Sequence, residues 1–264
     1  MSILPLLFDI LKSLAAGLFI GIGGFIFLLT KWGFTELSAR TNSSKNVIEI
    51  GNFISSAMFS VGLILVCVFK MLLYTGKIGL IFEEHQTTNF YITLLIMVIF
   101  NIFAAGLFGY IINRIFKNCS AFINLINTVT QSKNNLQVTN DYIKCFIQGL
   151  FCGACVHAGV RGYVIIKNKC KGIFVIIWFV CMFVYSGFQH CIANSFYFAC
   201  ANQFKSKSFI NVLLCILGNS LGTLPVAFII STISNIVNKS ESMSSSSSSH
   251  TNSSINNADD ENIE

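Results

Sequence analysis

Six long apolar runs dominate this chain, at about Leu11–Thr30, Val47–Tyr74, Phe90–Ile112, Tyr142–Ile166, Phe174–Phe198 and Phe209–Val237. A hydrocarbon core about 30 Å thick is crossed by about 20 mainly apolar helical residues, so each run is long enough to span a bilayer. Lipid offers no partners to backbone N–H and C=O groups, which leaves helices and closed barrels as the spanning structures. The runs show no period-2 alternation, so the expected fold is an all-α membrane protein of six transmembrane helices. Composition agrees, with 54% hydrophobic residues, 11% charged residues and a mean hydropathy of +0.70, against about 25% charged in an ordinary soluble domain.

The net charge of +6 comes from 17 basic residues scattered singly at the ends of the runs. They read as interfacial anchors, not as a nucleic-acid surface. On alternate sides of a six-span chain, nine of them (Lys31, Arg40, Lys45, Arg114, Lys117, Lys133, Lys144, Lys205 and Lys207) face eight (Lys12, Lys70, Lys77, Arg161, Lys167, Lys169, Lys171 and Lys239). The positive-inside rule therefore gives no orientation. An even number of spans puts both ends of the chain on one side, and the first run reads as a retained helix.

Most of the ten cysteines lie inside the runs, where thiols act as small apolar packers. Cys152 and Cys155 have CxxC spacing, but no second pair or nearby His/Cys cluster completes a zinc site. No cofactor is implied. No nucleophile–base pair suggests an enzyme. After Val237 the chain turns to Ser, Asn and acids, so residues 1–238 read as the six-helix transmembrane domain and 239–264 as a disordered Ser/Asn-rich acidic tail. The polar stretch from Lys117 to Asn140 divides the domain into halves of about 10–116 and 141–237.

That division invites a comparison of the halves, because many transporters pair inverted repeats whose corresponding helices break near mid-membrane. The middle run of each half holds a similar triplet, Tyr74-Thr75-Gly76 and Tyr185-Ser186-Gly187. Glycine tolerates backbone outside helical φ/ψ, and a neighbouring hydroxyl can bond the freed groups. The alternative is that Tyr74-Thr75-Gly76 simply ends its span. The fifth run carries Ser186-Gly-Phe-Gln-His190-Cys-Ile-Ala-Asn194, polar and ionisable groups at membrane depth, where such residues usually face a cavity or partner. His190 there is either a structural histidine bonded to a carbonyl or a donor of a proton or hydrogen bond in a pore. His157 and Arg161, four residues apart, share one helix face; Arg161 snorkels to the interface or, with His157, gathers anions at a pore mouth. Lys70 has the same two readings.

The segment from Ser186 to Asn194 closely resembles the fifth-helix signature of the formate/nitrite transporter family. Phe59-Ser-Val-Gly-Leu63-Ile-Leu65, with Thr75 twelve residues after Leu63, resembles that family's second helix, and Gly218-Asn219-x-x-Gly222 its sixth. Gly17-x-x-x-Gly21 is compatible with the small-residue face of its first. The resemblance covers about residues 10–237. It implies an aquaporin-like fold of two inverted three-helix repeats with broken second and fifth helices, assembled as a homopentamer with one pore per protomer. It also implies passage of small monovalent anions or their acids (formate, nitrite, lactate or hydrosulfide), proton-linked through a central histidine, His190.

By position, Phe59 and Leu63 would form one hydrophobic constriction and Val156 with Phe183 the other, with Thr75 and His190 in the central pore between them. Tyr74, Gly76, Ser186, Gly187 and Asn194 would belong to the broken-helix loops. The chain departs from the family at Lys70, where glycine is common, at Leu72 and Gln189, where acids are usual, and at Gly153, in place of an asparagine. The lipid bilayer is a further partner, and the plasma membrane is the expected location. A neutral-solute pore on the same scaffold and a non-conducting membrane scaffold are the alternatives.

Overall fold

The computed structural model describes residues 3–41, 44–82 and 88–256. They form ten α-helices and a 3-10 turn, with no strand among the described residues. The helices are α1 (Ile3–Thr41), α2 (Ser44–Met58), α3 (Ser60–Val68), α4 (Tyr74–Lys77), α5 (Thr88–Phe116), α6 (Ser120–Lys133), α7 (Thr139–Ile165), α8 (Lys169–Tyr185), α9 (Cys191–Cys200) and α10 (Ser206–Asn256); the 3-10 turn, Ile78–Phe82, follows α4. Five helical segments are long and apolar enough to cross a membrane: Ile3–Thr41, Lys45–Val68, Thr88–Phe116, Thr139–Ile165 and Ser206–Ile233. The fifth expected run is divided, because α8 stops at Tyr185 and the chain resumes as α9 at Cys191.

The second and fifth runs break in the same way. After α3, Phe69, Lys70 and Met71 donate their N–H groups to the carbonyls of Leu65, Cys67 and Val66; after α8, Ser186, Gly187 and Phe188 donate to those of Met182, Val184 and Phe183. The turn needs one left-handed residue, supplied by Lys70 (φ 54°) and Gly187 (φ 72°). Left-handed backbone is cheap for glycine and costs an L-residue about 1–2 kcal/mol, which explains why a glycine is expected where Lys70 stands.

Each break is closed by an asparagine from the span that follows. Asn101 of α5 accepts the Tyr74 N–H at 2.9 Å and donates to the carbonyls of Leu72 (3.0 Å) and Ser13 (2.7 Å). Asn219 of α10 accepts the Cys191 N–H at 3.0 Å and donates to those of Gln189 and Gly149, both at 2.9 Å. Leu72 and Gln189 also donate their N–H groups to the carbonyls of Lys12 and Gln148, each at 3.4 Å.

This correspondence pairs Leu73 with His190 and Tyr74 with Cys191, and it corrects the match between the two Tyr-x-Gly triplets. Tyr74, Thr75 and Gly76 lie after their break, inside α4, whereas Tyr185 ends α8 and Ser186 and Gly187 lie within the next break. Asn194 also sits inside a helix, in the first turn of α9. The break residues in the first half are Phe69 to Leu73.

Backbone contact between spans fixes where glycine must stand. A Cβ at Gly17 would strike the Asn101 carbonyl, one at Gly153 the Asn219 carbonyl, and one at Gly222 the Leu150 carbonyl. The α1–α5 and α7–α10 pairs therefore approach as closely as small-residue interfaces permit. At Gly153 no side chain fits, which accounts for the missing asparagine there. Gly17→Ala and Gly153→Ala are each expected to cost about 2 kcal/mol or more through overpacking, seen as a lower Tm in detergent. Gly33→Ala is the control, since nothing lies within 4 Å of its added methyl.

The linker expected from Lys117 to Asn140 is largely helix. α6 buries Phe122, Ile126 and Thr130 along one face, with the Phe122 ring edge-on to Trp32 and Phe25 of α1. At the other end, α10 runs on as helix to Asn256. Residues 257–264 of the Ser/Asn-rich acidic tail expected from residue 239 lie outside the described residues.

Candidate functional site

The two interrupted segments bring Thr75 and His190 together. His190 is the N-cap of α9, its Nδ1 accepting the Ala193 N–H at 3.2 Å. In the neutral ring the proton therefore sits on Nε2, which faces Thr75 Oγ1 at 3.2 Å. Both residues are buried. Adding a proton at Nδ1 would break the bond from Ala193, so the arrangement presents His190 as a hydrogen-bond donor through Nε2–H.

Two cavities approach this contact from different elements. The first, of about 460 Å³, is lined by His190, Phe59, Phe183, Lys31, Asn52 and Lys133 among others. The second, of about 610 Å³, is lined by Leu73 and Gly76, which flank Thr75, and by Lys12, Lys70, Lys77, Arg161 and Lys169. No carboxylate is among the described residues lining either one. The cations fall in the two groups that alternation of the spans assigned to opposite sides.

In the first cavity Lys31 Nζ donates to Asn52 Oδ1 at 2.6 Å and Lys133 Nζ lies 5.5 Å from the Tyr197 ring centre. Burial pushes the Lys133 ammonium below the usual lysine range, and an anion beside it would favour the charged form. In the second, Lys169 Nζ donates to the Tyr163 carbonyl at 3.1 Å.

Phe59 and Phe183 do not stand at separate constrictions. Their rings meet edge-on at 6.0 Å, and Phe183 in turn stacks on His190 at 6.0 Å. Leu63 and Val156 are buried in the same apolar core but line neither cavity. The substituted Gln189 is fully engaged: its Oε1 accepts from Asn194 Nδ2 at 2.7 Å and its Nε2 donates to Gln148 Oε1 at 3.2 Å. His157 is buried and packs against Gly79 of the 3-10 turn.

Sequence reading missed Asn101, Asn211, Gln148 and the inward position of Lys133. Asn101 and Asn211 carried a usable signal, since a carboxamide inside an apolar span must find a partner.

Residues 4–207 match the family model for formate/nitrite transporters. A search of curated proteins gave no significant match. Among solved structures, the chain superposes on a pentameric formate channel with formate bound, at a TM-score of 0.66 and 19% identity, covering 87% of this chain and 95% of that one. It also superposes on an ion channel of the same family at a TM-score of 0.67 and 19% identity, covering 84% and 88%. These relatives are channels and transporters, not enzymes. The chain is an integral membrane protein that belongs to the formate/nitrite transporter family.

Proposed function

We propose that this protein passes small monovalent anions, such as formate, lactate, nitrite or hydrosulfide, across the plasma membrane as near-neutral acids. The observation that carries the reading is the Nε2–H of His190, aimed at Thr75 Oγ1 at 3.2 Å, with a basic cavity lined by His190 and a second lined by the residues that flank Thr75. Each cavity concentrates the anion, because a cleft lined by one sign of charge raises the local counter-ion concentration. The Phe59–Phe183 pair and the His190 ring then form a dry stretch, and an unpaired charge there is costly. An anion that picks up a proton in the vestibule crosses as the acid, held by Nε2–H and the Thr75 hydroxyl. The positive end of α9 lies beside it. The proton thus travels on the substrate, and flux rises as the medium is acidified.

The matching hydrogen bonds around the two breaks support an aquaporin-like arrangement of inverted halves, about 10–116 and 141–237, within a channel domain of residues 1–238. The pentameric formate channel among the structural relatives supports a homopentamer. Outward apolar side chains such as Phe174, Trp178 and Phe103 suit lipid or a neighbouring subunit.

The test is uptake of labelled formate and lactate into proteoliposomes at an external pH of about 5.5 and about 7.5, beside an uncharged solute of similar size. The acid form grows tenfold per pH unit, so uptake is expected to rise by up to about 100-fold at the lower pH, with no change for the neutral solute. Flux of the neutral solute alone would overturn the anion reading. In the same assay Lys70→Gln with Lys77→Gln is expected to lower uptake from the second cavity's side about tenfold at low ionic strength, and much less at high salt.

A further inference from the structure

Two thiols meet beside the second break. Cys145 of α7 and Cys215 of α10 place their sulfurs 3.8 Å apart, and both are buried. Cys145 Sγ accepts from Asn211 Nδ2 at 3.3 Å. Cys215 Sγ donates to Asn211 Oδ1 at 3.4 Å and accepts from Asn194 Nδ2 at 3.5 Å. Asn194 Nδ2 also donates to Asn211 Oδ1 at 2.8 Å and to Gln189 Oε1 at 2.7 Å, and its backbone N–H donates to the His190 carbonyl at 2.8 Å. One carboxamide therefore separates the thiol pair from the backbone of His190. Cys145 is also reachable, since it lines a cavity of about 230 Å³ together with Lys133, Lys144 and Gln148.

We propose that Cys145 and Cys215 form a reversible redox switch that throttles the pore, an inference that rests on the transport reading above. The oxidant is a small hydroperoxide. Cys145, the thiol that lines the cavity, attacks one peroxide oxygen; the O–O bond breaks and a sulfenic acid and one water form. Cys215 Sγ then attacks the Cys145 sulfur, the S–O bond breaks, and a disulfide and a second water leave. Two thiols are oxidised and hydrogen peroxide is reduced to two waters. A dithiol reductant restores the pair by exchange.

Oxidation acts on the site because the sulfurs must close from 3.8 Å to about 2.0 Å, and the helices cannot simply follow. A Cβ at Gly218 would already lie 2.6 Å from the Phe146 carbonyl oxygen, so α7 and α10 have no slack here. The adjustment falls on side chains. Cys215 loses the S–H that Asn211 accepts, Asn211 and Asn194 must re-pair, and the first turn of α9 behind His190 shifts with them.

The experiment uses the full chain with Cys170→Ser, which removes an exposed thiol, reconstituted in liposomes and treated with hydrogen peroxide. Peptide mapping without reductant is expected to find Cys145 joined to Cys215. Anion uptake is expected to fall by at least about fivefold, the low end of a usual coupling between sites, and dithiothreitol is expected to restore both. Cys145→Ser and Cys215→Ser should lose the linkage and the response to peroxide while keeping the uptake of the reduced protein; Cys145→Ala serves if either serine variant does not fold. Absence of the linkage, a linkage with unchanged uptake, or an equal loss in Cys145→Ser would each overturn the proposal. Because mapping needs no flux, a reduced protein that transports nothing would overturn the transport reading and the throttling with it, while the linkage would still decide the thiol chemistry.

Discussion

Replacing His190 with asparagine is expected to cut formate uptake about tenfold at both external pH values while leaving the ratio between them unchanged. Asparagine is among the best N-cap residues, and its Oδ1 can accept the Ala193 N–H that His190 Nδ1 now receives at 3.2 Å. The start of α9 survives the substitution. The shorter side chain does not extend to Thr75 Oγ1, so the donor now 3.2 Å from that hydroxyl is lost.

A buried acceptor left without its donor costs about 1–3 kcal/mol, and about 1.4 kcal/mol is a factor of ten in rate. If the proton rides on the substrate, the acid form in the vestibule still sets the pH dependence, and the variant keeps it. A flattened pH profile would instead mean that the imidazole itself carries the proton, and would overturn the donor role argued from its tautomer. Thr75→Val gives the complementary reading, since it removes the hydroxyl and leaves His190 in place.

Sequence alone carried the two residues at the centre of the proposed site. Thr75 and His190 are separated by 115 positions and meet at 3.2 Å; His190 stood out as an ionisable group at membrane depth, and Thr75 through its triplet and the family resemblance. What the sequence could not convey was which residues on either side of a break correspond. The two Tyr-x-Gly triplets look alike in letters, yet the backbone matches Lys70 to Gly187 by their positive φ and Leu73 to His190 by their place before a helix. A left-handed lysine leaves no glycine to find, so the first break was placed several residues late. The pairing of Phe59 with Phe183 was hidden for another reason. Both read as constriction residues, but contact between rings on α2–α3 and α8 is set by how those helices cross, and periodicity within each helix does not report that. Lys133 lay in what read as a polar linker, and only the packing of α6 through Phe122 and Ile126 turns it inward.

The second large effect is expected from the asparagines that close the breaks, and it is on stability more than on flux. Asn219→Leu removes a side chain of similar size that holds the Cys191 N–H and the carbonyls of Gln189 and Gly149. Asn101→Leu removes the equivalent set, the Tyr74 N–H and the carbonyls of Leu72 and Ser13. Interrupted backbone inside a membrane is tolerated only where other groups satisfy it. The Gly149 and Ser13 carbonyls keep their intrahelical partners; with two break groups stranded at about 1 kcal/mol or more each, either variant is expected to lose about 2 kcal/mol or more, read as a marked fall in Tm in detergent or as failure to recover folded protein.

Asn211→Leu is the comparison. Asn211 bonds the Lys133 carbonyl, Asn194 and the two thiols but no break backbone, so its loss is expected to be smaller. Equal losses in all three variants would show that any buried carboxamide here is worth the same and that closing the breaks is not a special task. A pronounced loss confined to Asn101 and Asn219 would place the stability of both halves in the same two side chains, each reaching across from the neighbouring span to hold a helix open beside the Thr75–His190 contact.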